Sequence, residues 1–153
     1  MPPREGPARF LGGDVQQKVH ELSVATQGKG LFDITPAVTR WVSAQGLTTG
    51  LLTLFCRHTS ASLLIQENAD PDVRTDILAY FERLAPEDPR RYVHSIEGPD
   101  DMPAHLRVAL TQVQLSIPLM GGRLALGTWQ GIYLFEHRCH SQNRRIALHL
   151  LGD

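Results

Sequence analysis

Strand-like segments crowd the last third of this chain: 113–119, 123–127, 131–137 and 144–151 follow one another with only turns between them, Gly121-Gly122 being the clearest. Strands joined so closely pair antiparallel, because a parallel pair needs a crossover of a dozen residues or more. Upstream, His20, Leu22 and Val24 alternate with polar or small residues across 18–26, and Gly28-Lys29-Gly30 turns the chain. Two further strands are predicted at 50–56 and 60–65, separated by Arg57-His58-Thr59, whose place between them reads as a bend or bulge. Helices are fewer. Thr35-Pro36 and Asp70-Pro71 each read as an N-cap followed by proline at the first helical position. The first helix carries Val38, Trp41 and Val42 and ends at Gly46; the second carries Val73, Ile77, Phe81 and Leu84 and stops at Pro86. A short third helix starts at Met102-Pro103, with His105 in its first turn and Leu106, Ala109 and Leu110 expected to face inward. The pattern predicts a single α+β domain over 15–153, mainly antiparallel, with two to three helices, after a Pro- and Gly-rich flexible lead-in at 1–14.

Length and charge narrow the function classes. At 153 residues and 42% hydrophobic content the chain can bury an ordinary core, and a net charge of −1 with interspersed signs leaves no basic field for nucleic acid. No apolar run approaches the roughly 18 residues that span a bilayer, and Met1-Pro-Pro-Arg-Glu-Gly-Pro lacks the apolar core of a secretory leader, so a cytoplasmic protein without membrane partners is expected. Cys56 and Cys139 lie far apart with no CxxC spacing, which predicts reduced thiols; Cys56 shares the face of Leu52 and Leu54 and reads as core. No glycine pattern forms a nucleotide loop, so no nucleotide or organic cofactor is expected, and without a GxSxG elbow a Ser/His/Asp triad has no support.

The stretch 56–76, CRHTSASLLIQENADPDVRTD, carries the densest chemistry: a histidine, hydroxyls and carboxylates set around an apolar strand. Ionisable groups in such a place need partners or a use, because desolvating an unpaired charge costs several kcal/mol. His58, His94 and His105 fall in loops or at helix starts, where side chains from different elements can converge, though no local metal-ligand motif joins them. Glu67, Asp70, Asp72 and Asp76 could hold Mg²⁺ with phosphate oxygens. Asp70 also suits an N-cap and Asp72 the helix dipole, whereas Glu67 has no such structural role in the sequence. Glu136 shares the strand face of Ile132 and Leu134, so it needs a partner such as Arg138, Arg144 or Arg145.

Four collinear segments, HTSASL at 58–63, ENADPDVRTD at 67–76, EGPDDMPAHL at 97–106 and GTWQGIYLFEHR at 127–138, closely resemble the YjbQ family, the secondary thiamine-phosphate synthase family. The resemblance runs from about residue 18 to residue 152. It implies a small domain with a β-sandwich that assembles as a homotrimer, with a polar pocket near subunit contacts. It further implies a weak activity that joins hydroxymethylpyrimidine diphosphate to thiazole phosphate and releases pyrophosphate. The polar positions carried over suggest roles: catalysis by His58, Glu67 and His105, binding of a phosphorylated small molecule by Thr59, Ser60, Thr128, Gln130 and Arg145, and a divalent metal, Mg or Zn, on His94, His105, Asp76 and Glu136. Two departures stand out: Ala69 replaces a cysteine found in some members, and Thr111-Gln-Val-Gln-Leu lacks the family's glycine and small hydroxyl. Beside a metal-assisted enzyme on phosphorylated heterocycles, the same residues are compatible with a non-catalytic small-ligand or metal-binding trimer and with a metal-dependent hydrolase.

Overall fold

A computed structural model describes residues 13–153, so most of the lead-in expected at 1–14 lies outside the described residues. The element order is β1 (Gln16–Gln27), β2 (Gly30–Asp33), α1 (Thr35–Ala44), β3 (Gly50–Cys56), β4 (Ala61–Glu67), α2 (Pro71–Leu84), a 3₁₀ turn at Pro89–Arg91, α3 (Asp101–Leu110), β5 (Gln114–Met120), β6 (Arg123–Leu124), β7 (Gln130–Glu136) and β8 (Ser141–Gly152). The strands form a five-stranded sheet, β1-β8-β3-β5-β6, and a three-stranded sheet, β2-β7-β4, with every pairing between them antiparallel. This is the single-domain α+β architecture with three helices that the sequence predicts.

Alternation decides what each sheet buries. Leu52 and Leu54 of β3, Leu115, Ile117 and Leu119 of β5, and Ile146, Leu148 and Leu150 of β8 point to one side. They meet Ala61 and Leu63 of β4 and Ile132 and Leu134 of β7, so the two sheets close face to face on one apolar core, to which α1 adds Val38 and Val42. The other face of β7 presents Tyr133 and Phe135, which α2 covers with Ile77, Leu78 and Phe81. β7 is therefore buried on both faces, and the order of layers is five-stranded sheet, three-stranded sheet, helix.

Several local details differ from the expectation. Thr35 is the first residue of α1 rather than its cap; Ile34 holds the cap position, and the Thr35 hydroxyl accepts the Ile132 backbone N–H at 2.8 Å, tying the helix to β7. Asp70 caps α2 as read, accepting from the Asp72 N–H at 2.9 Å. The expected strand at 123–127 shortens to two residues, and the four-residue β2 was not legible at all. The inward face of α3 is rotated: Asp101, Pro103, Ala104 and Arg107 are buried, while Leu110 is 60% exposed. The apolar pattern misleads here because the buried polar side chains find partners, Asp101 in Arg138 and Arg107 in the Ala85 carbonyl and Glu82, although Arg107 Nε has none among the described residues. Both cysteines are free thiols, and Cys56 is buried as expected. Among the described residues no helix is long and apolar enough to cross a membrane.

Candidate functional site

Residues 57–60 interrupt the chain between β3 and β4, and the side chains around this break fall into two groups. One is a closed network in the sandwich. Glu136, fully buried, accepts from Arg144 Nη2 at 2.6 Å and Nε at 2.9 Å, and its other lone pairs take the Thr26 hydroxyl at 2.8 Å and the His137 N–H. Arg144 spends its remaining reach on the Ser60 hydroxyl at 2.9 Å and carbonyl at 3.2 Å. Arg144 thus supplies the partner that Glu136 needs. Glu136 and Ser60, expected to hold metal and substrate, are committed here to joining β7, β8 and β1 across one end of the core.

The second group is open to solvent. His94 arrives on the loop after the 3₁₀ turn, while Asp101 and His105 stand one turn apart on α3. Asp101 Oδ2 lies 2.6 Å from His94 Nε2 and 3.1 Å from His105 Nε2, and one donor atom from each of the three residues lies within 4.8 Å of the others. The far nitrogen of His105, Nδ1, sits 2.8 Å from the Thr59 carbonyl. A carbonyl can only accept, so Nδ1 carries the proton, and the contact between Nε2 and the carboxylate is favourable only when a proton or a cation lies on it. Asp101 is 1% exposed, yet the imidazoles around it reach solvent. Burial pushes the Asp101 carboxyl up, but His94, His105 and Arg138 outweigh it and hold the group below the usual carboxylate range. Asp100 behaves alike: burial raises it, and the Cys139 N–H and Arg138 more than compensate.

Cavities flank this trio. One of about 270 Å³ is lined by Pro89, Tyr92, His94, Ser95, Gly98 and Pro99. Another, about 380 Å³ and open, is lined by Phe55, Cys56, Arg57, His58, Thr59 and Val113. Arg57, in its lining, and Arg145 are more than half exposed and share Glu21, at 2.6 and 3.6 Å. His58 Nε2 accepts the Arg145 backbone N–H at 2.8 Å. The lone pair a general base would use is therefore occupied, and burial, then the Arg144 charge, lowers the pKa of His58.

The remaining candidates lie elsewhere. Glu67 pairs with Gln130 at the opposite end of β4 and β7 from the Ala61–Glu136 pair, six residues along the strand, or roughly 20 Å. Glu67 does have a structural role: its carboxylate accepts the Asp70 N–H at 3.1 Å. Gln130 Oε1 accepts the Gly127 N–H at 2.8 Å, Thr128 is exposed in the same turn, and Trp129 beside it is 62% exposed. Asp76 is exposed on α2, where it lines an open cavity with Val73, Ile77, Tyr80, Phe81 and Arg83. Within one chain the fold joins His94, His105 and Thr59 and leaves Glu67, Asp76, Thr128 and Gln130 apart from them. The residue missed in the sequence is Asp101, although its spacing of four from His105 on a helix was a readable signal.

A buried pair beside the site looks catalytic but is closed off. Ser62 Oγ is 2.8 Å from His137 Nε2, and both residues are wholly buried. Among the described residues His137 Nδ1 has no hydrogen-bond partner, so no carboxylate there orients the ring. Burial, followed by the Arg107 and Arg144 charges, drives the His137 pKa from 6.5 to about 3. Because the unfolded chain takes up this proton first, stability is expected to be full above about pH 6.5 and to decline as the pH falls toward 3. Denaturant titrations of the wild type and His137→Gln at pH 6.5 and 5, where most carboxylates stay ionised, check this. The variant is expected to lose less stability over that step, and equal losses would contradict the assignment.

Comparison with known proteins agrees with this architecture. The family model described as UPF0047 protein YjbQ-like matches residues 20–153. A UPF0047 protein from Synechocystis is 54% identical over 132 residues, covering 86% of this chain and 90% of that protein. The UPF0047 protein YjbQ of Salmonella typhimurium is 43% identical, covering 86% and 96%. Among solved structures, a hypothetical protein from Aeropyrum pernix superposes with a TM-score of 0.81 at 31% identity, covering 89% of this chain and 99% of that one. A YjbQ/UPF0047 protein from Clostridium acetobutylicum does so with a TM-score of 0.77 at 36% identity, covering 84% and 97%. With the model match spanning nearly all of the described fold, the chain belongs to the UPF0047 family of YjbQ-like proteins.

Proposed function

We propose that His94, Asp101 and His105 form a divalent-metal site at which this protein acts on a phosphorylated heterocycle. The observation that carries the proposal is the committed Nδ1–H of His105, which leaves its Nε2 lone pair facing the buried carboxylate oxygen that Nε2 of His94 also meets. A histidine ligand that donates its second nitrogen to a backbone carbonyl is the usual outer-shell arrangement of a metal site. Two imidazoles and a carboxylate suit zinc, manganese or iron better than magnesium, which prefers oxygen ligands. A metal bound there would offset the charge that builds on a diphosphate leaving group. The protein's own contribution is positional: Arg57, in the wall of the Thr59 cavity, and Arg145 keep more than half of their side chains exposed beside the Glu21 carboxylate they share, and the guanidinium N–H groups not turned to Glu21 are the donors for phosphate. The activity that fits the family resemblance is the joining of hydroxymethylpyrimidine diphosphate to thiazole phosphate, with release of pyrophosphate.

The candidates at the Glu67–Gln130 end can belong to the same site only if a second copy brings them there, as a homotrimer could. In support, the outer face of the five-stranded sheet carries Val19, Leu51, Phe55 and Leu151, which are 78, 42, 45 and 40% exposed. Metal-loaded protein mixed with both substrates is expected to release pyrophosphate and form thiamine phosphate, and Asp101→Asn is expected to do neither. Pyrophosphate or phosphate release without the thiazole acceptor would instead assign a hydrolase, and failure of metal-loaded wild type to turn over either substrate would contradict the catalytic reading.

A further inference from the structure

Arg138 follows β7 and reaches into the base of the trio. Its side chain is 15% exposed and fully engaged: Nε donates to Asp100 Oδ2 at 2.9 Å, Nη1 to Asp101 Oδ1 at 2.6 Å, and Nη2 to the Glu97 carbonyl at 2.8 Å. Asp100 is fixed in turn by the Cys139 N–H at 2.9 Å. The guanidinium therefore fastens three things together: the loop that delivers His94, the start of the helix that delivers Asp101 and His105, and the end of the buried strand β7. It also divides the Asp101 carboxylate between two tasks, because Oδ1 is taken by Arg138 while Oδ2 alone faces both imidazoles.

Resting on the metal reading above, we infer that Arg138 is a positioning residue that keeps Asp101 monodentate toward the metal and sets the spacing of the two histidines. It is not itself a ligand, since a guanidinium offers only donors. A lysine at this position would keep the charge but lose the planar fork that meets two carboxylates and a carbonyl at once, so Arg138→Lys is an informative change.

The experiment uses Co(II) as the probe, titrated into metal-free wild type, Arg138→Lys and Asp100→Asn, with folding followed by circular dichroism. Wild type is expected to bind Co(II) with visible absorption typical of low coordination number. Arg138→Lys is expected to bind about 10–100-fold more weakly, as changes to outer-shell partners do. Its absorption should weaken and shift, because the freed Oδ1 can also reach the ion and raise the coordination number. Asp100→Asn, which loosens Arg138 from one side, should move both quantities in the same direction by less, and it carries the test if the lysine variant fails to fold. Wild-type affinity and spectrum in a folded Arg138→Lys, or weaker binding with an unchanged spectrum, would overturn the inference while leaving the metal site standing. A wild type that takes up no Co(II) would overturn both.

Discussion

Replacing Glu136 by Gln is expected to cost about 3–5 kcal/mol of stability, the usual loss when one member of a buried ion pair is removed. Arg144 is 5% exposed and Glu136 fully buried, so without the carboxylate the guanidinium keeps its charge in a place water does not reach. The amide keeps only one of the two acceptor oxygens, so either the Thr26 hydroxyl or the His137 N–H loses its acceptor at the same moment, which adds to the loss. For a chain of this size the change corresponds to a drop in melting temperature of roughly 6–20 °C. Arg144→Met is expected to be comparably damaging, since it leaves the charge on the other side. The double variant Glu136→Leu with Arg144→Met should be milder than either single change, because both charges leave together. Denaturant unfolding of the three variants measures this, and a double variant less stable than both singles would show that the network does more than satisfy its own charges.

Asp101→Asn is expected to abolish metal binding with hardly any change in side-chain volume. The amide has the size of the carboxylate but lacks the charge that draws both imidazoles and Arg138 to one point. Loss of an outer-shell partner already weakens metal affinity by about 10–100-fold, and loss of a charged ligand should exceed that. Competition against a chelator of known affinity gives the number. Affinity equal to that of wild type would remove Asp101 from the ligand set and with it the proposed centre. The comparison is cleaner than His94→Ala, because His94 sits on a loop that its own replacement could rearrange.

The contrast between these two clusters explains how far the sequence could be read. β3 was legible to the residue because Leu52, Leu54 and Cys56 alternate with residues on the outer face, and the three helices announced themselves through Thr35-Pro36, Asp70-Pro71 and Met102-Pro103. β2 escaped because four residues are too few to show a period, and it exists through pairing with β7. The buried side of α3 was hidden because it is lined by Asp101 and Arg107, which a hydrophobicity pattern assigns to solvent. Only the partners, Arg138 for one and Ala85 with Glu82 for the other, reveal why they are inside. His94 and His105 were identifiable by residue type and by their place in a loop and a helix start. Their meeting on Asp101 was not, because it depends on a loop closing onto α3, and that closure is fixed by Arg138 some forty residues downstream. Glu67 shows the reverse: a carboxylate that seemed free in the sequence accepts a backbone N–H only three residues away.

Whether the trio is a metal site is measured most directly by the metal content of protein purified without an affinity tag, wild type beside His105→Ala at matched concentration. After dialysis against zinc, manganese and magnesium in turn and removal of the excess, wild type should retain about one equivalent of a metal per chain and the variant almost none. A wild type that retains no metal under any of these conditions, or a variant that retains as much as wild type, would contradict a metal site at the trio.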